Sequence, residues 1–235
     1  MNVTRVRRSA AVAAALVLAL VVLDRAFPPP APGRDAPYAA VVVARDGSPQ
    51  RAFPDRGHVW RHQVGLDEVS PLYVEALVEY EDRWFWAHPG VNPFALARAL
   101  VQWLREGRVV SGGSTLTMQV ARILEPMPRS VPGKLRQTVR ALQLELRYSK
   151  REILAIYLNY APMGGVLEGV EAASRGYLGK PARRLTHAEA ALLAVLPQQP
   201  SVLRPDRNPE GARTARDKVL RRLAPRWGGA VILAQ

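Results

Sequence analysis

The chain has 235 residues, 48% of them hydrophobic and 23% charged, which predicts one folded domain and excludes a wholly disordered protein. It contains no cysteine, so disulfides, thiolate nucleophiles and thiolate metal sites are excluded. The net charge of +13 favours an anionic partner, which is nucleic acid, an acidic membrane surface or a phosphorylated substrate.

The chain opens on a basic tail followed by an apolar run. Residues 1–9 contain three arginines, and residues 10–23 are uninterrupted apolar sequence. With the next four residues included, residues 10–27 predict a signal-anchor transmembrane helix, and the arginines keep the tail in the cytoplasm. A cleaved signal peptide is the alternative, but no small-x-small cleavage site follows the run. Either way the rest of the chain is exported, which argues against nucleic acid as the partner.

Residues 28–37 are rich in proline and predict a stiff, extended spacer between the membrane and the folded domain. A β-branched run at residues 39–44 is followed by turn-forming residues at 45–48. This pattern predicts a small β-hairpin at the start of the domain.

The sequence pattern is helical from Ser70 onward. Two capping residues followed by proline, at Ser70 and Asn92, predict helices that end near Tyr80 and Gly107. Further helix starts are predicted at Ser149, Thr186 and Asn208. A helix between them has its apolar residues on one face, which are Leu135, Val139, Leu142 and Leu146. The predicted fold is therefore mainly α with a small β appendage.

The stretch EDRWFWAHPGV at residues 81–91 places three consecutive charges and three bulky aromatic side chains at a predicted helix end. One interpretation is a plain helix terminus, with Glu81 solvated and the aromatic side chains in the core. The other places Glu81 at the edge of a cleft, where partial loss of water raises its pKa toward that of a general base. The residues alone favour the plain terminus.

The stretch SGGSTLTMQ at residues 111–119 places paired glycines and hydroxyl groups before a predicted helix. Free backbone N–H groups in such a loop can hold an anion, although most loops of this kind only connect two elements. The four histidines suggest no Ser-His-Asp relay, and no group of residues has the spacing of metal ligands. The sequence predicts no metal site.

Taken in order, these stretches resemble the peptidoglycan glycosyltransferases of family 51. The family's further motifs follow in the family's order, as KLRQ (134–137), KREILAIYLNYAPMGG (150–165), YLGK (177–180) and LTHAEAALLAVLPQQPSVLRP (185–205). The resemblance covers roughly residues 38–223. It is nearest to the N-terminal half of class A penicillin-binding proteins of the 1C type. It implies a lysozyme-like helical glycosyltransferase domain over residues 38–225.

The resemblance also implies a reaction and a set of site residues. Lipid II, a disaccharide-peptide on an undecaprenyl pyrophosphate, would be polymerised into β-1,4 glycan strands with inversion and release of undecaprenyl pyrophosphate. Glu81 matches the family's general base, which removes the proton of the attacking hydroxyl. The matching substrate-binding positions are Ser114, Gln119, Arg122, Arg129, Lys134, Arg136 and Gln137. Arg140, by contrast, is expected to be a solvated surface charge.

The implied partners are lipid II, the nascent glycan strand, the cytoplasmic membrane and other cell-wall synthesis proteins, with no nucleic acid. The domain is expected on the periplasmic side of the inner membrane, held there by a single transmembrane helix. No cofactor is required. Some family members respond to a divalent cation; Gln137 weakens that expectation here without excluding it, because an amide does not bind a cation strongly.

The chain departs from the family in two places. The family usually has a glutamate where this chain has Gln137, so a catalytic role for that position is not expected. No Ser-x-x-Lys, Ser-x-Asn or Lys-Thr-Gly element of a transpeptidase is present. Residues 226–235 are therefore either the C-terminal tail of a stand-alone enzyme or a truncated junction to a further domain.

Three other functions stay open. A lysozyme-like hydrolase or lytic transglycosylase would also use a single glutamate, but it has no pyrophosphate for the arginines after the glycine-serine loop to neutralise. A catalytically silent membrane protein that binds lipid II or scaffolds the cell-wall machinery is favoured by Gln137 and opposed by Glu81. A basic nucleic-acid binder is the third, and export would rule it out.

Overall fold

A computed structural model describes residues 21–22, 24–29, 31, 38–45, 49–106 and 113–228. The helices are α1 (Pro71–Glu81), α2 (Pro93–Glu106), α3 (Leu116–Leu124), α4 (Val131–Arg147), α5 (Lys150–Tyr160), α6 (Val170–Leu178), α7 (His187–Val195) and α8 (Pro209–Trp227). The strands are β1 (Ala40–Val43), β2 (Pro49–Phe53), β3 (Trp60–Arg61), β4 (Pro162–Gly164) and β5 (Leu167–Glu168). The prediction of a mainly helical domain with a small β part is confirmed.

The strands form two small sheets. β1 and β2 pair antiparallel with Ala40 opposite Phe53, so the predicted hairpin is confirmed, while its turn residues 46–48 lie outside the described residues. In the second sheet β5 lies between β3, to which it is parallel, and β4, to which it is antiparallel. This sheet joins the chain before α1 to the segment between α5 and α6.

The predicted membrane anchor lies mostly outside the described residues. Helical backbone is described at residues 21–22 and 24–26. The basic tail, residues 1–9, and most of the spacer, residues 28–37, also lie outside them. Within the described part of the chain, no helix has both the length and the apolar character needed to cross a bilayer.

The predicted helix starts are present. Side-chain caps form at the predicted residues Asn92, Ser149, Thr186 and Asn208. Ser70 takes the capping position of α1, but its side chain makes no capping bond. Its hydroxyl donates instead to the carbonyl of Leu185 at 3.4 Å, so Pro71 starts α1 without side-chain help.

The core lies between α1, α3, α5 and α7. Its fully buried large side chains include Tyr73 and Leu77 of α1, Leu116 and Met118 of α3, Leu154, Tyr157 and Leu158 of α5, and Leu193 of α7. Burial of each such side chain contributes about 1.5–3 kcal/mol relative to exposure. Packing on both sides of α1 therefore fixes where its C-terminal end lies.

The apolar stripe that was predicted from Leu135, Val139, Leu142 and Leu146 lies on α4. It faces away from the core. Leu135 is 66% exposed and Leu146 is 79% exposed, and Val139 and Leu142 between them are also exposed. An amphipathic helix normally turns its apolar face inward. A contiguous outward stripe of this kind is typical of an interaction surface.

Candidate active site

Glu81 is the last residue of α1, and Asp82 turns the chain away from the helix. Glu81 Oε2 accepts a hydrogen bond from Gln119 Nε2 of α3 at 2.8 Å. Its Oε1 is buried and has no hydrogen-bond partner among the described residues. One carboxylate oxygen is thus held by a hydrogen bond. The other, called the open oxygen below, has no hydrogen-bond partner among the described residues and can accept a proton.

The surroundings of Glu81 favour its neutral form. Burial raises the pKa of the Glu81 carboxyl, the amide of Gln119 opposes this, and the nearby charge of Asp82 raises the pKa further. The plain-terminus interpretation is wrong because Glu81 is withdrawn from water. Of the three aromatic residues that follow, Phe85 is in the core, whereas Trp84 is 64% exposed and Trp86 is 51% exposed.

Asp82 has a structural task next to Glu81. Its buried carboxylate accepts from His88 Nε2 at 2.9 and 3.0 Å and from the backbone N–H of Leu116 at 2.9 Å. Leu116 is the first residue of α3, so this N–H has no partner within the helix and Asp82 caps it. The contact joins the end of α1 to the start of α3. As a result, Glu81 and Gln119 face each other.

A second hydrogen bond orients Gln119. The hydroxyl of Tyr157 donates to Gln119 Oε1 at 3.4 Å, which leaves the Gln119 nitrogen to donate to Glu81. Burial, and then the charge of Glu81, raise the pKa of the fully buried hydroxyls of Tyr73 and Tyr157. Both hydroxyls therefore stay protonated, and Tyr157 remains a donor at any ordinary pH.

The N-terminal half of α4 adds a cationic group. Lys134 Nζ donates to Ser114 Oγ and to Gln137 Oε1, the latter at 3.1 Å. Burial, and then the charge of Arg122, lower the pKa of Lys134. Gln137 is buried, and its nitrogen donates to the carbonyl of Met118. An amide serves here because it accepts from an ammonium group while donating to a carbonyl, which an ionised carboxylate cannot do.

A cavity of about 340 Å³ lies next to Gln119 and Arg122. It is lined by Arg122 and Gln119 on one side and by Arg61 and Glu168 on the other. Among the described residues, four larger cavities of about 1070, 920, 700 and 500 Å³ are lined by neither Glu81 nor Gln119. The smaller cavity is the better candidate for the substrate site. It is lined by cationic side chains and by Gln119, the hydrogen-bond partner of Glu81.

The predicted substrate-binding residues divide into two sets. In the first set Gln119 contacts Glu81, and Ser114, Gln137 and Arg122 are grouped around Lys134. The other two point elsewhere, since Arg136 pairs with Glu125 and Arg129 is exposed on the connection between α3 and α4. Their contact with substrate stays a prediction.

The expectation for Arg140 is wrong. Its side chain is mostly covered, and its Nε donates to Glu125 Oε2 at 2.9 Å. Glu125 is the C-cap of α3, so the pair ties α3 to α4. The sequence offered no sign of this contact because the two residues lie on different helices.

A divalent cation does not fit the group around Lys134. The ammonium group of Lys134 takes the central position, and the one amide oxygen of Gln137 already accepts from it. Within the described residues, no three His, Asp or Glu side chains are placed to hold a metal ion. The donor set suits an anion rather than a cation.

Comparison with known proteins gives a consistent result. Residues 47–224 match the transglycosylase family. Penicillin-binding protein 1C of Escherichia coli (strain K12) is 60% identical over 195 residues, which cover 83% of this chain and 25% of that protein. Penicillin-binding protein 1A of Aquifex aeolicus (strain VF5) is 37% identical over 188 residues, or 80% of this chain and 26% of that protein. The chain thus spans about a quarter of the length of these curated relatives.

Among solved structures, that of penicillin-binding protein 1A from Haemophilus influenzae aligns with a TM-score of 0.46 and 20% sequence identity. The alignment covers 84% of this chain and 20% of that one.

The raised pKa of Glu81 predicts a pH-dependent effect of Glu81→Gln on stability. The folded protein binds this proton more tightly than the unfolded chain does. The stability gained by protonation is complete below the unfolded pKa of about 4 and is lost as the pH rises through the higher folded pKa. Relative to the wild type, the free energy of unfolding of the variant should therefore increase as the pH rises from about 4 to 7. Denaturant unfolding at several pH values measures this, and a pH-independent difference would contradict it.

Proposed function

The chain belongs to the transglycosylase family, and we propose that it polymerises lipid II into β-1,4 glycan strands with Glu81 as general base. The observation that carries the proposal is the open, buried Oε1 of Glu81, whose carboxyl has a raised pKa. A carboxylate whose pKa is raised is a stronger base, so it takes the proton of the attacking hydroxyl more readily. Membership of the family supports a glycosyltransferase reaction in general. The surroundings of Glu81 support its role as the general base.

In the proposed reaction the 4-hydroxyl of the acceptor sugar attacks the anomeric carbon of the donor strand. Its proton passes to Glu81 Oε1 as the new C–O bond forms, and the donor inverts because attack comes from the face opposite the leaving group. Gln119 holds Oε2, so the carboxylate does not need to reorient during the transfer.

The leaving group is undecaprenyl pyrophosphate, and its negative charge grows as the anomeric C–O bond breaks. Lys134 and Arg122 supply positive charge next to Gln119. Ser114 and Gln137 hold the Lys134 ammonium group without neutralising it. The full cationic charge is therefore available to the pyrophosphate in a partly buried site, where charge interactions are stronger than in water.

This cationic group also separates the proposal from its rivals. A hydrolase that cuts finished glycan releases no pyrophosphate and has no use for the neighbouring positive charges of Lys134 and Arg122. A silent lipid II binder would use the cations but not a carboxylate with a raised pKa and an open oxygen. The two features together favour polymerisation.

Glu81→Gln should lower the rate of lipid II polymerisation by about 10² or more, because the amide keeps the shape but cannot accept the proton. The measurement is glycan strand formation from purified lipid II in detergent. Glu75→Gln, the same change near the middle of α1, is the control and should keep most of the wild-type rate. A near wild-type rate for Glu81→Gln would contradict the assignment, and cleavage of finished glycan in place of polymerisation would favour the hydrolase.

We propose that the reaction needs no cofactor and no divalent cation, since Lys134 and Arg122 take the cation's place. A chelator should leave the polymerisation rate unchanged. Gln137→Ala should cost about 1 kcal/mol of transition-state stabilisation, the value of one hydrogen bond. Gln137→Glu should cost more, because it neutralises Lys134 and sets a carboxylate against the Met118 carbonyl. Complete loss of activity in chelator would contradict the proposal.

We also propose that residues 10–27 hold the protein in the cytoplasmic membrane with residues 38–225 outside. A lipid-linked substrate never leaves the bilayer, so an anchored enzyme meets it at a raised effective concentration. Protease added to spheroplasts should digest the protein to a short protected N-terminal piece, residues 1–9 with the anchor. Full protection of the domain in intact spheroplasts would place it in the cytoplasm and overturn the proposal.

A further inference from the structure

Three side chains on one face of α4 hold the segment that leads into the domain. Arg140, Gln143 and Arg147 are three and four residues apart, so they share a face of the helix. Arg147 binds Asp24 through its two terminal nitrogens, with Nη1–Oδ1 at 2.8 Å and Nη2–Oδ2 at 2.6 Å. Gln143 Nε2 donates to the same carboxylate at 2.8 Å. Asp24 therefore contacts the domain across more than a hundred residues of sequence.

The same face of α4 caps the end of the N-terminal helical segment. Residues 24–26 are helical, and the prolines that follow Phe27 lack the N–H groups with which a continuing chain would satisfy the last carbonyls. Arg140 Nη1 donates to the carbonyls of Phe27 and Pro28, at 2.6 and 3.2 Å. Gln143 Nε2 donates to the Phe27 carbonyl at 3.1 Å. Cationic side chains are also favoured at a helix C-terminus by the helix dipole.

Contacts within the domain also hold the receiving face. Glu125 holds Arg140 Nε at 2.9 Å, and Gln143 Oε1 accepts from Arg140 Nη1 at 2.8 Å. The bidentate bond of Arg147, ahead of the bond from Gln143, lowers the pKa of Asp24. An isolated surface ion pair contributes little, but here the donors are already oriented and several bonds form together. Less side-chain entropy is lost when the segment docks.

The opposite end of α4 carries part of the candidate active site. Lys134 and Gln137 lie ten or more residues before Arg147, which is about 15–20 Å along a helix. The docked segment and the cationic group are thus attached to one rigid element. A change in the position of either is transmitted to the other only as a movement of the whole helix.

The docked segment also lies beside the outward stripe of α4. Leu142 and Leu146 each precede a docking residue by one position, which is a rotation of about 100° around the helix. Val21 and Val22, at the described end of the apolar run, are exposed as well. The apolar residues of the segment and of the stripe therefore lie on neighbouring surfaces.

We propose that the face of α4 formed by Arg140, Gln143 and Arg147 is the docking site of residues 24–28. The contact fixes the direction in which the N-terminal apolar run leaves the domain, so that this run and the stripe of α4 meet the bilayer together. Its effect on catalysis rests on the proposed function and membrane anchor, whereas the docking itself does not.

A zero-length cross-link tests the docking independently of activity. Arg147→Lys keeps the charge and introduces an amine, which a carbodiimide joins to the Asp24 carboxyl as an amide with loss of water. Mass spectrometry of the full chain should find peptides linked between positions 24 and 147. The link should be absent when Asp24→Asn is added, and Arg213→Lys on the distant helix α8 should give no link to position 24. Equal linkage to both introduced amines, or none, would overturn the docking.

Charge reversal tests the effect on the reaction. Asp24→Arg and Arg147→Asp, each alone, should lower lipid II polymerisation in phospholipid vesicles roughly tenfold, as expected for the loss of a strongly coupled contact. The double variant should recover most of the rate. In detergent micelles, which impose no orientation, all three should match the wild type. Arg151→Asp, which breaks the exposed pair between Arg151 and Asp67, is the matched control and should have no effect in vesicles.

The outcomes separate the two proposals. Wild-type rates in vesicles for both single reversals would overturn the orienting role even if the cross-link forms. Loss of activity in micelles as well would also overturn it, since the defect would then lie in the domain itself. If the wild type does not polymerise lipid II at all, the proposed function fails while the cross-link still decides the docking.

Discussion

The hydrogen bond from the first N–H of α3 to the buried carboxylate of Asp82 is the contact on which the arrangement of the site depends. It joins two helix ends that carry Glu81 and Gln119. His88 Nε2 adds one donor that lies within reach of both oxygens, so the burial of Asp82 is compensated by hydrogen bonds. Glu81, one residue earlier, has a single donor and an open oxygen. Two neighbouring carboxylates thus take different tasks because of the donors that each one meets, one joining helices and the other available for proton transfer.

The loop after Asp82 reaches α4 through a position that only glycine suits. Gly90 has a φ of +82°, and a Cβ there would lie 2.6 Å from Glu145 Cγ and 3.0 Å from the Ala141 carbonyl oxygen. The hydroxyl of Thr115 donates to the Gly90 carbonyl, and Thr115 also caps α3. The loop, the start of α3 and the middle of α4 are therefore held together. The end of α1 is thereby connected, through this loop and α3, to the helix that carries Lys134.

Local features of the fold could be predicted from the sequence, whereas contacts between distant residues could not. Capping residues such as Asn92 and Thr186 act within a few positions, so their effect is visible in the sequence alone. The stripe on α4 was also predictable, but its outward direction was not, because periodicity gives a face and not what covers it. Tyr157 and His88 were missed as site residues for the same reason. Tyr157 looks like any aromatic core residue until α5 is packed against Gln119, 38 positions earlier.

An open carboxylate withdrawn from water and an apolar stripe exposed to it both lower the stability of a protein in aqueous solution. Chains that keep such features usually use them in function. The apolar stripe lies on the same helix as the cationic group, since Lys134 of α4 donates to Ser114 and Gln137 while the adjacent Leu135 is exposed. The proposed substrate joins a pyrophosphate to a membrane-embedded lipid, so it requires a cationic pocket and an apolar surface side by side. One turn of an amphipathic helix provides both, and under the proposed function the same helix would position the phosphate and the lipid.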